Sequence, residues 1–287
     1  PSDGGRAATR GALMGARVVK PGSSGHVGVT LQGLAFGREL DLRRPGKVAH
    51  GFAGRRQIGV AADAVLELTP ARLFLEISRA GGRAAAVGGL VGARVAGGRV
   101  DLLGRLYDPG YFSPFGAAAS GTGMTDERGV SLRYRRPGWL LWLDDLRRTS
   151  GRWTEPVPGG GSRVGVRWSH RLSTGLRLVV DGQRREASEW KQTVQRWQRT
   201  DRLRGRIRWT GDMAAADAGV TALRNGVDHG HAASLRGRGR ARDVDGSIHV
   251  TGYRTDGYGA RVYEYERSLP GSVSLLPLYG TGWRATA

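Results

Sequence analysis

The chain has 287 residues, carries 45 Lys and Arg against 25 Asp and Glu, and contains no cysteine. The absence of cysteine excludes disulfides, thiolate metal sites and cysteine nucleophiles. No apolar run approaches the roughly 18 residues that a membrane-spanning helix needs, so any crossing of a membrane would use β-strands.

The positive charge is spread along the whole chain. Only Lys20, Lys47 and Lys191 are lysines, and the arginines recur in nearly every segment. A protein that binds nucleic acid usually gathers its charge on one patch or tail. We therefore expect no nucleic-acid partner.

In the first part of the chain, residues of opposite character alternate in six segments, which predicts β-strands. These strands are predicted at residues 12–20, 26–36, 56–68, 72–80, 86–95 and 99–107. Short clusters of turn-forming residues lie at 21–25, 69–71 and 96–98, and longer connections lie at 37–55 and 108–126.

The same rhythm continues in the second part. Strands are predicted at 127–135, 139–148, 162–170, 176–184, 190–198, 203–211, 230–242 and 247–254, followed by irregular strands. Short turns are predicted at 136–138, 172–175, 199–201 and 243–246, and long connections at 148–161, 183–188 and 212–228. Strands joined alternately by short turns and long loops are typical of bacterial outer-membrane barrels.

The most informative pattern is an arginine at every second position. It occurs twice, as Arg202, Arg204, Arg206 and Arg208, and as Arg236, Arg238, Arg240 and Arg242. Because successive side chains leave a strand on opposite faces, each segment has one cationic and one uncharged face. The uncharged face of the second segment consists largely of Gly and Ala, which fill a soluble core poorly. A membrane barrel needs only an outer face without charge and can hold the arginines around a wet interior.

The sequence therefore predicts an all-β fold, an antiparallel up-and-down transmembrane β-barrel of roughly 14–18 strands with short periplasmic turns and long outer loops. We expect a single β-barrel domain over residues 1–287. The arginines expected to line the interior are Arg133, Arg135, Arg163, Arg167, Arg177, Arg204, Arg206, Arg208, Arg236, Arg238 and Arg240.

Two segments carry a resemblance to known proteins. YDPGYFSPFG (107–116) with TDERG (125–129) resembles a loop-and-strand signature of a poorly characterised group of Gram-negative outer-membrane β-barrel proteins. YRTDGYGARVYEYE (253–266) with LPLYGTGWR (276–284) resembles the C-terminal signature of that group. Some members carry a helix-hairpin-helix segment before the barrel, and none is visible here. The resemblance covers the last two-thirds of the chain and implies a barrel in the outer membrane of a Gram-negative bacterium, with no known activity.

Both ends of the chain depart from that group. Outer-membrane barrels commonly end in a strand that finishes with Phe or Tyr, whereas this chain stops at Thr286 and Ala287. Its first residues also lack a leader segment. We therefore expect a fragment, with a signal peptide and closing strands outside it.

No constellation of residues predicts an enzyme. Asp228, His229 and His231 form a DHGH cluster that would suit a metal, but no partner ligands are evident, so a solvated loop is favoured. The neighbours Asp144 and Asp145 would face opposite ways in a strand, and no Gly-x-Ser-x-Gly occurs. We expect no catalytic residue, no metal and no cofactor.

A mixed aromatic and charged cluster lies in the second signature. Its members are Asp256, Tyr258, Arg261, Tyr263, Tyr265 and Glu266. Such a loop can bind a ligand, or it can fold inward and plug a barrel. The sequence leaves these two roles open.

Three functions follow from these expectations. The first is a barrel whose arginine-lined interior passes or binds anionic solutes, with outer-membrane lipid and the barrel-assembly machinery as its partners. The second is a non-conducting barrel that anchors or assembles other components. The third is a soluble basic β-protein that binds nucleic acid or other polyanions. The first is favoured, and the oligomeric state stays open.

Overall fold

A computed structural model describes residues 11–41, 53–109, 111, 126–149, 157–191, 194–241, 244–269 and 272–286. In these ranges the chain forms 17 β-strands and one 3₁₀ turn, Tyr258–Ala260. The first eight strands are β1 Gly11–Gly22, β2 Gly25–Asp41, β3 Ala53–Leu68, β4 Ala71–Ala80, β5 Arg83–Val95, β6 Gly98–Tyr107, β7 Glu127–Arg136 and β8 Trp139–Arg147. The others are β9 Gly160–Arg171, β10 Leu176–Lys191, β11 Val194–Thr210, β12 Ala214–Asn225, β13 Asp228–Ala241, β14 Val244–Thr255, β15 Val262–Leu269, β16 Ser272–Leu278 and β17 Thr281–Thr286.

Fifteen strands form one antiparallel sheet, in which β1 to β14 pair in the order of the sequence. The order runs from β1 to β14 and ends at β17, while β15 and β16 form a separate two-stranded hairpin. This confirms the predicted all-β, up-and-down, antiparallel architecture. No hydrogen-bonded pairing joins β1 to β17 in the described ranges, so closure into a barrel is not part of what is observed.

The lengths of the connections follow a simple rule. Every connection after an odd-numbered strand of the large sheet, from residues 23–24 to residues 242–243, has only two to four residues. The long connections, such as 108–126 and 148–159, all follow even-numbered strands. Since neighbouring strands are antiparallel, the long connections all leave the same end of the strands, where the two-residue turns 81–82, 192–193 and 226–227 also lie.

The sequence-based interpretation was wrong between residues 183 and 228. The predicted long connection at 183–188 lies inside β10, and the predicted turn at 199–201 lies inside β11. The predicted long connection at 212–228 contains β12.

Side-chain pairing explains the first two errors. Asp201 accepts a hydrogen bond from Arg184 Nε of β10 at 2.8 Å and another from Arg199 Nε at 2.9 Å. The Arg-Thr-Asp sequence that is typical of a turn thus stabilises two paired strands instead. In β12 the run of Ala and Gly has little hydrophobic contrast, so alternation could not reveal the strand.

Contact clustering divides the chain into two units. Unit 1 comprises Pro1–Tyr134, Asp144–Gly161 and Ser188–Arg196, and unit 2 comprises Arg135–Leu143, Ser162–Ala187 and Trp197–Ala287.

In unit 1, strands β1 to β6 have one polar and one apolar face. The register pairs Val18 with Val29 and Ala62 with Ile77, so these residues share the apolar face. Its larger side chains are 45–77% exposed and include Met14, Val18, Val29, Leu31, Ile58, Val60, Leu73, Leu75 and Ile77. The opposite face carries acidic and basic side chains that pair with each other, such as Arg17 with Asp63 at 2.9 Å and Arg72 with Glu67 at 2.7 Å.

In unit 2, strands β11 to β14 repeat this division. Arg208 pairs with Asp217, and Asp217 pairs with Arg236, so the two arginine combs share one face. We call this the arginine face. The opposite face is apolar. Its large side chains that are each 45–75% exposed are Leu203, Ile207, Trp209, Val220, Leu235, Ile248 and Trp283.

Buried apolar residues are few. Among the described residues, the buried hydrophobic ones are Leu34, Ala80, Ala85, Tyr107, Tyr111, Ala260 and Leu278. A soluble sheet would place its apolar face against another layer. Here the apolar residues lie on the exposed face in both units.

The TDERG signature belongs to a buried ionic cluster in unit 1. Arg105 is completely buried; its Nε donates to Glu127, its Nη2 donates to Asp144 at 2.9 Å and its Nη1 donates to Ser131 at 2.7 Å. The carboxylate of Asp126 accepts a hydrogen bond from the backbone N–H of Thr149 at 2.8 Å. This network joins β6, β7 and β8 through charge-assisted hydrogen bonds.

The YDPGY signature forms a small apolar cluster beside it. Tyr107 and Tyr111 pack with Ala80 and Ala85, with the two rings 6.2 Å apart. Tyr111 also shares a hydrogen bond of 2.7 Å with Ser78, and the Asp108 carboxylate accepts the backbone N–H of Ala84 at 3.0 Å. The two parts of the signature therefore fasten the start of the long connection after β6.

We predict that Gly129→Ala destabilises the fold. An added Cβ would lie 2.6 Å from the Asp145 carbonyl oxygen and 2.8 Å from the Arg105 guanidinium carbon, so the ionic cluster would have to move. The expected loss is about 1–3 kcal/mol of unfolding free energy, measured by thermal unfolding followed by circular dichroism. Gly104→Ala is the control because its nearest neighbour would be 3.8 Å away, and equal effects of the two variants would contradict the prediction.

Candidate functional site

Six of the predicted interior arginines lie on the arginine face of unit 2. Arg204 and Arg206 of β11 are half-buried, whereas Arg208, Arg236, Arg238 and Arg240 are more exposed. Strand register brings these six together, because β12 pairs with β11 on one side and with β13 on the other.

The other five predicted arginines are placed by alternation along their own strands. Arg133 and Arg135 follow Ser131 at every second position of β7, so they lie on the same face of the strand as this serine, which accepts a hydrogen bond from Arg105. Arg163 and Arg167 have the parity of Gly165, whose missing Cβ leaves room for the Trp142 ring. Arg177 has the parity of Asp181, and all five arginines are exposed. Of these five, Arg167 lies close enough to Arg204 of β11 for their positive charges to repel each other.

Acidic groups offset only part of the charge on the arginine face. Asp217 pairs with Arg208 at 3.2 Å. Asp181, almost fully buried, lies 3.9 Å from Arg202 and 4.0 Å from Arg206. Arg204 donates its Nε hydrogen to Thr221 at 3.3 Å, and no carboxylate of the described residues lies within 4.0 Å of its guanidinium. Unit 2 therefore keeps an excess of positive charge, unlike the paired polar face of unit 1.

The C-terminal segment folds back onto the arginine face. The side-chain amide of Asn225 donates to the Gly259 carbonyl at 2.7 Å, and the backbone N–H of Asp256 donates to the His229 carbonyl at 2.9 Å. Gly230 of β13 permits this approach, because a Cβ at that position would overlap the carbonyl oxygen of Ala260. Ala260 is completely buried as a result.

The aromatic and charged cluster is organised around Arg261. Its guanidinium lies 4.2 Å from the centre of the Tyr258 ring and 5.1 Å from that of Tyr263. These are cation–π distances. Its Nη1 also donates to the Tyr258 carbonyl at 3.0 Å.

The remaining members of that cluster are Asp256, Tyr265 and Glu266. Asp256 is exposed beside the 3₁₀ turn. Tyr265 and Glu266 lie on β15, paired with Leu275 and Ser274, and their side chains are outside the described set.

A cavity of about 200 Å³ lies between the arginine face and the β15–β16 hairpin. We call it the cationic cavity. Val262, Tyr263 and Leu278 of the hairpin line one side. The sheet side is formed by Arg204, Arg206, Asp217, Gly219, Thr221, Ala232, Ser234, Arg236, His249 and Thr251.

A chain of hydrogen bonds crosses the floor of this cavity. Arg236 Nη2 lies 3.3 Å from His249 Nδ1, and His249 Nε2 lies 3.2 Å from the Thr251 hydroxyl. A guanidinium can only donate, so Nδ1 is the acceptor in the contact with Arg236. The imidazole thus links Arg236 to Thr251 across the cavity floor.

Sequence reasoning missed the uncharged members of the cavity. Thr221 lies on the strand that was read as a long connection, and Ser234, His249 and Thr251 reach the cavity only through the register of β13 and β14. Alternation within β13 places Ser234 on the face of Arg236, which was a usable signal. Nothing in the sequence sets the register that aligns His249 with Arg236.

The DHGH cluster lies at the beginning of β13 rather than in a solvated loop. A two-residue turn precedes Asp228, because β12 occupies the residues before it. His229 and His231 point to the apolar side of the sheet, opposite to Gly230. In the part of the chain that the structure describes, no group of three His, Cys, Asp or Glu could hold a metal ion.

Comparisons with known proteins give no relative. No family model, curated protein or solved structure matches the chain. In the described ranges no helix is both long enough and apolar enough to span a membrane.

We predict that Gly230→Ala displaces the 3₁₀ turn from β13. The new methyl group would occupy the position of the Ala260 carbonyl oxygen, so the bond after Arg261 becomes more accessible to trypsin. The expected result is cleavage at least about threefold faster, since local opening here costs little compared with global unfolding. Gly237→Ala on the same strand is the control, because its nearest contact would be an ordinary 3.5 Å. Unchanged cleavage in Gly230→Ala would refute the role of this glycine.

Proposed function

We propose that this protein is an integral outer-membrane β-barrel of a Gram-negative bacterium, with an arginine-lined interior that passes or binds anionic solutes. One observation carries the proposal: the paired strands of unit 2 hold their arginines on one face and expose Leu203, Ile207, Val220 and other large apolar residues on the opposite face. Contact between such an apolar face and water is unfavourable, whereas contact with lipid is favourable.

The cost of placing a charge in lipid determines which face of the sheet would contact the bilayer. An arginine on the lipid side costs about 2–4 kcal/mol at the bilayer midplane. The arginine face alone carries Arg202, Arg204, Arg206 and Arg208 on a single strand. The reversed orientation would therefore be prohibitive, and the arginines would face an aqueous interior.

Strand length and connections agree with this proposal. A tilted strand of about 9–11 residues crosses the hydrocarbon core, and nearly every strand of the large sheet reaches that length. In bacterial barrels the long connections lie at one end of the strands, and here every long connection of the large sheet follows an even-numbered strand. The two signature segments resemble the same group of proteins.

A non-conducting barrel is the second candidate. The observation that favours it is the β15–β16 hairpin, whose Val262, Tyr263 and Leu278 cover part of the arginine face. In that case the barrel would serve as an anchor or an assembly site, and its interior would carry no solute.

Conductance separates these candidates. We expect the detergent-purified full chain to migrate differently on gels before and after boiling and to form anion-selective channels in planar bilayers. Heat-modifiable migration without channels would support the anchor. A protein that stays monodisperse without detergent, and whose affinity for polyanions falls steeply with salt, would refute the membrane proposal.

We predict that Ile207→Arg blocks membrane insertion. Ile207 lies midway along the apolar residues of β11 and is 48% exposed, so a charge there would face lipid at a cost of about 2–4 kcal/mol. The measurement is the fraction of protein that becomes heat-modifiable when folded into lipid vesicles, which should fall by about tenfold or more. Ile207→Leu, which keeps the volume, should insert like the original chain, and normal insertion of Ile207→Arg would contradict the proposed orientation.

A further inference from the structure

We propose that the cationic cavity binds one tetrahedral oxyanion, either free phosphate or a phosphoryl headgroup. This inference rests on the proposed function, because it names the kind of anion that an arginine-lined interior would hold. It also places the binding site at one position on the arginine face.

The first argument is the local charge. Three guanidinium groups line the cavity, those of Arg204, Arg206 and Arg236. The only carboxylate among the described lining residues is that of Asp217, which is engaged by Arg208 at 3.2 Å. An anion in the cavity would therefore meet a net positive field, and a cation would be repelled.

The second argument is a set of donors without acceptors. The Nε atoms of Arg202 and Arg206 are buried and have no hydrogen-bond partner in the described part of the chain. The nearest carboxylate, that of Asp181, lies 3.9–4.0 Å from their terminal nitrogens, which is beyond hydrogen-bonding distance. Because no carboxylate pairs closely with Arg206, whose side chain lines the cavity, its charge remains to attract an anion.

The third argument is the arrangement of the donors. Arg204 and Arg206 come from β11, Arg236 comes from β13, and the hydroxyl groups of Thr221, Ser234 and Thr251 come from β12, β13 and β14. Donors that converge from four adjacent strands suit an anion with oxygens in several directions. Guanidinium groups match phosphate in a two-pronged geometry, whereas a flat carboxylate would leave several of these donors unused.

The size of the cavity limits the ligand. Its volume of about 200 Å³ is below the roughly 300–1,000 Å³ of pockets that take drug-sized molecules. This size favours one phosphoryl group over a larger anion such as a nucleotide.

The hairpin makes the cavity a site rather than an open patch. Val262 and Leu278 present apolar surface to it, and Leu278 is 95% buried. This cover excludes part of the water, which strengthens the interaction between the guanidinium groups and a bound anion.

Calorimetric titration of the detergent-solubilised full chain with inorganic phosphate tests the site. Arg204→Gln and Arg236→Gln should each weaken phosphate binding by about tenfold or more, the effect of losing one charge-assisted hydrogen bond. Arg240→Gln is the matched control, since Arg240 lies on the same face and strand as Arg236 but outside the cavity and next to Asp245. Ser234→Ala should give a smaller loss and serves if an arginine variant does not fold.

Two further arms identify the source of the anion. A phospholipid or lipopolysaccharide that stays bound through phosphate-free washing and is lost in Arg204→Gln would assign the site to a headgroup. Binding of added phosphate without retained lipid would assign it to the free ion. No phosphate binding at about 10 mM, or equal weakening in Arg240→Gln and Arg204→Gln, would overturn the site, since one lost contact should separate them by about tenfold.

The site and the proposed function can fail separately. Anion-selective channels without phosphate binding would remove the site and leave the function. Phosphate binding in a protein that needs no detergent would retain the site and remove the membrane proposal.

Discussion

The strict alternation of side chains along a β-strand determines where this chain can keep its arginines. A guanidinium group remains charged at any physiological pH, so it must meet water, an acidic group or another acceptor. In β11 and β13 the arginines occupy every second residue, and the register through β12 aligns the two sets on one face. A shift of one residue in this pairing would move every arginine to the apolar face. The charge pattern and the register therefore support each other, and the apolar side chains are left on the opposite face of the sheet.

The fold is held together without a large dry core. Seven buried hydrophobic residues among the described ranges cannot provide the stability of an ordinary globular domain, so the backbone hydrogen bonds of the 15-stranded sheet carry much of it. The buried cluster of Arg105, Glu127 and Asp144 has another role. A buried ion pair adds little net stability compared with apolar packing, but leaving one member alone is very unfavourable. This cluster therefore specifies how β6, β7 and β8 pair.

The sequence predicted strands well where their two faces differ clearly in character. β6 was expected at 99–107 and is Gly98–Tyr107, and β7 was expected at 127–135 and is Glu127–Arg136. The prediction failed at Asp201, where polar residues lie within a strand. It also failed in β12, where Ala and Gly leave little difference in hydrophobicity between the two faces. For the site, alternation alone placed Arg204 and Arg206 on one face. Their partners depend on the register between strands, which alternation within one strand does not give, so the contribution of Thr221 and His249 was not predicted.

In the proposed barrel, the hairpin would cover part of the arginine face without removing its attraction for anions. A plug that neutralised the arginines with carboxylates would remove the positive field. The described hairpin residues that reach the cavity are Val262, Tyr263 and Leu278, none of which carries a charge at neutral pH. Arg261 is held beside them by the rings of Tyr258 and Tyr263 rather than by an acidic partner. A cover that leaves the charges in place would lower the local dielectric around Arg204, Arg206 and Arg236, and on the proposed function each would then bind an anion more strongly than an arginine in open water.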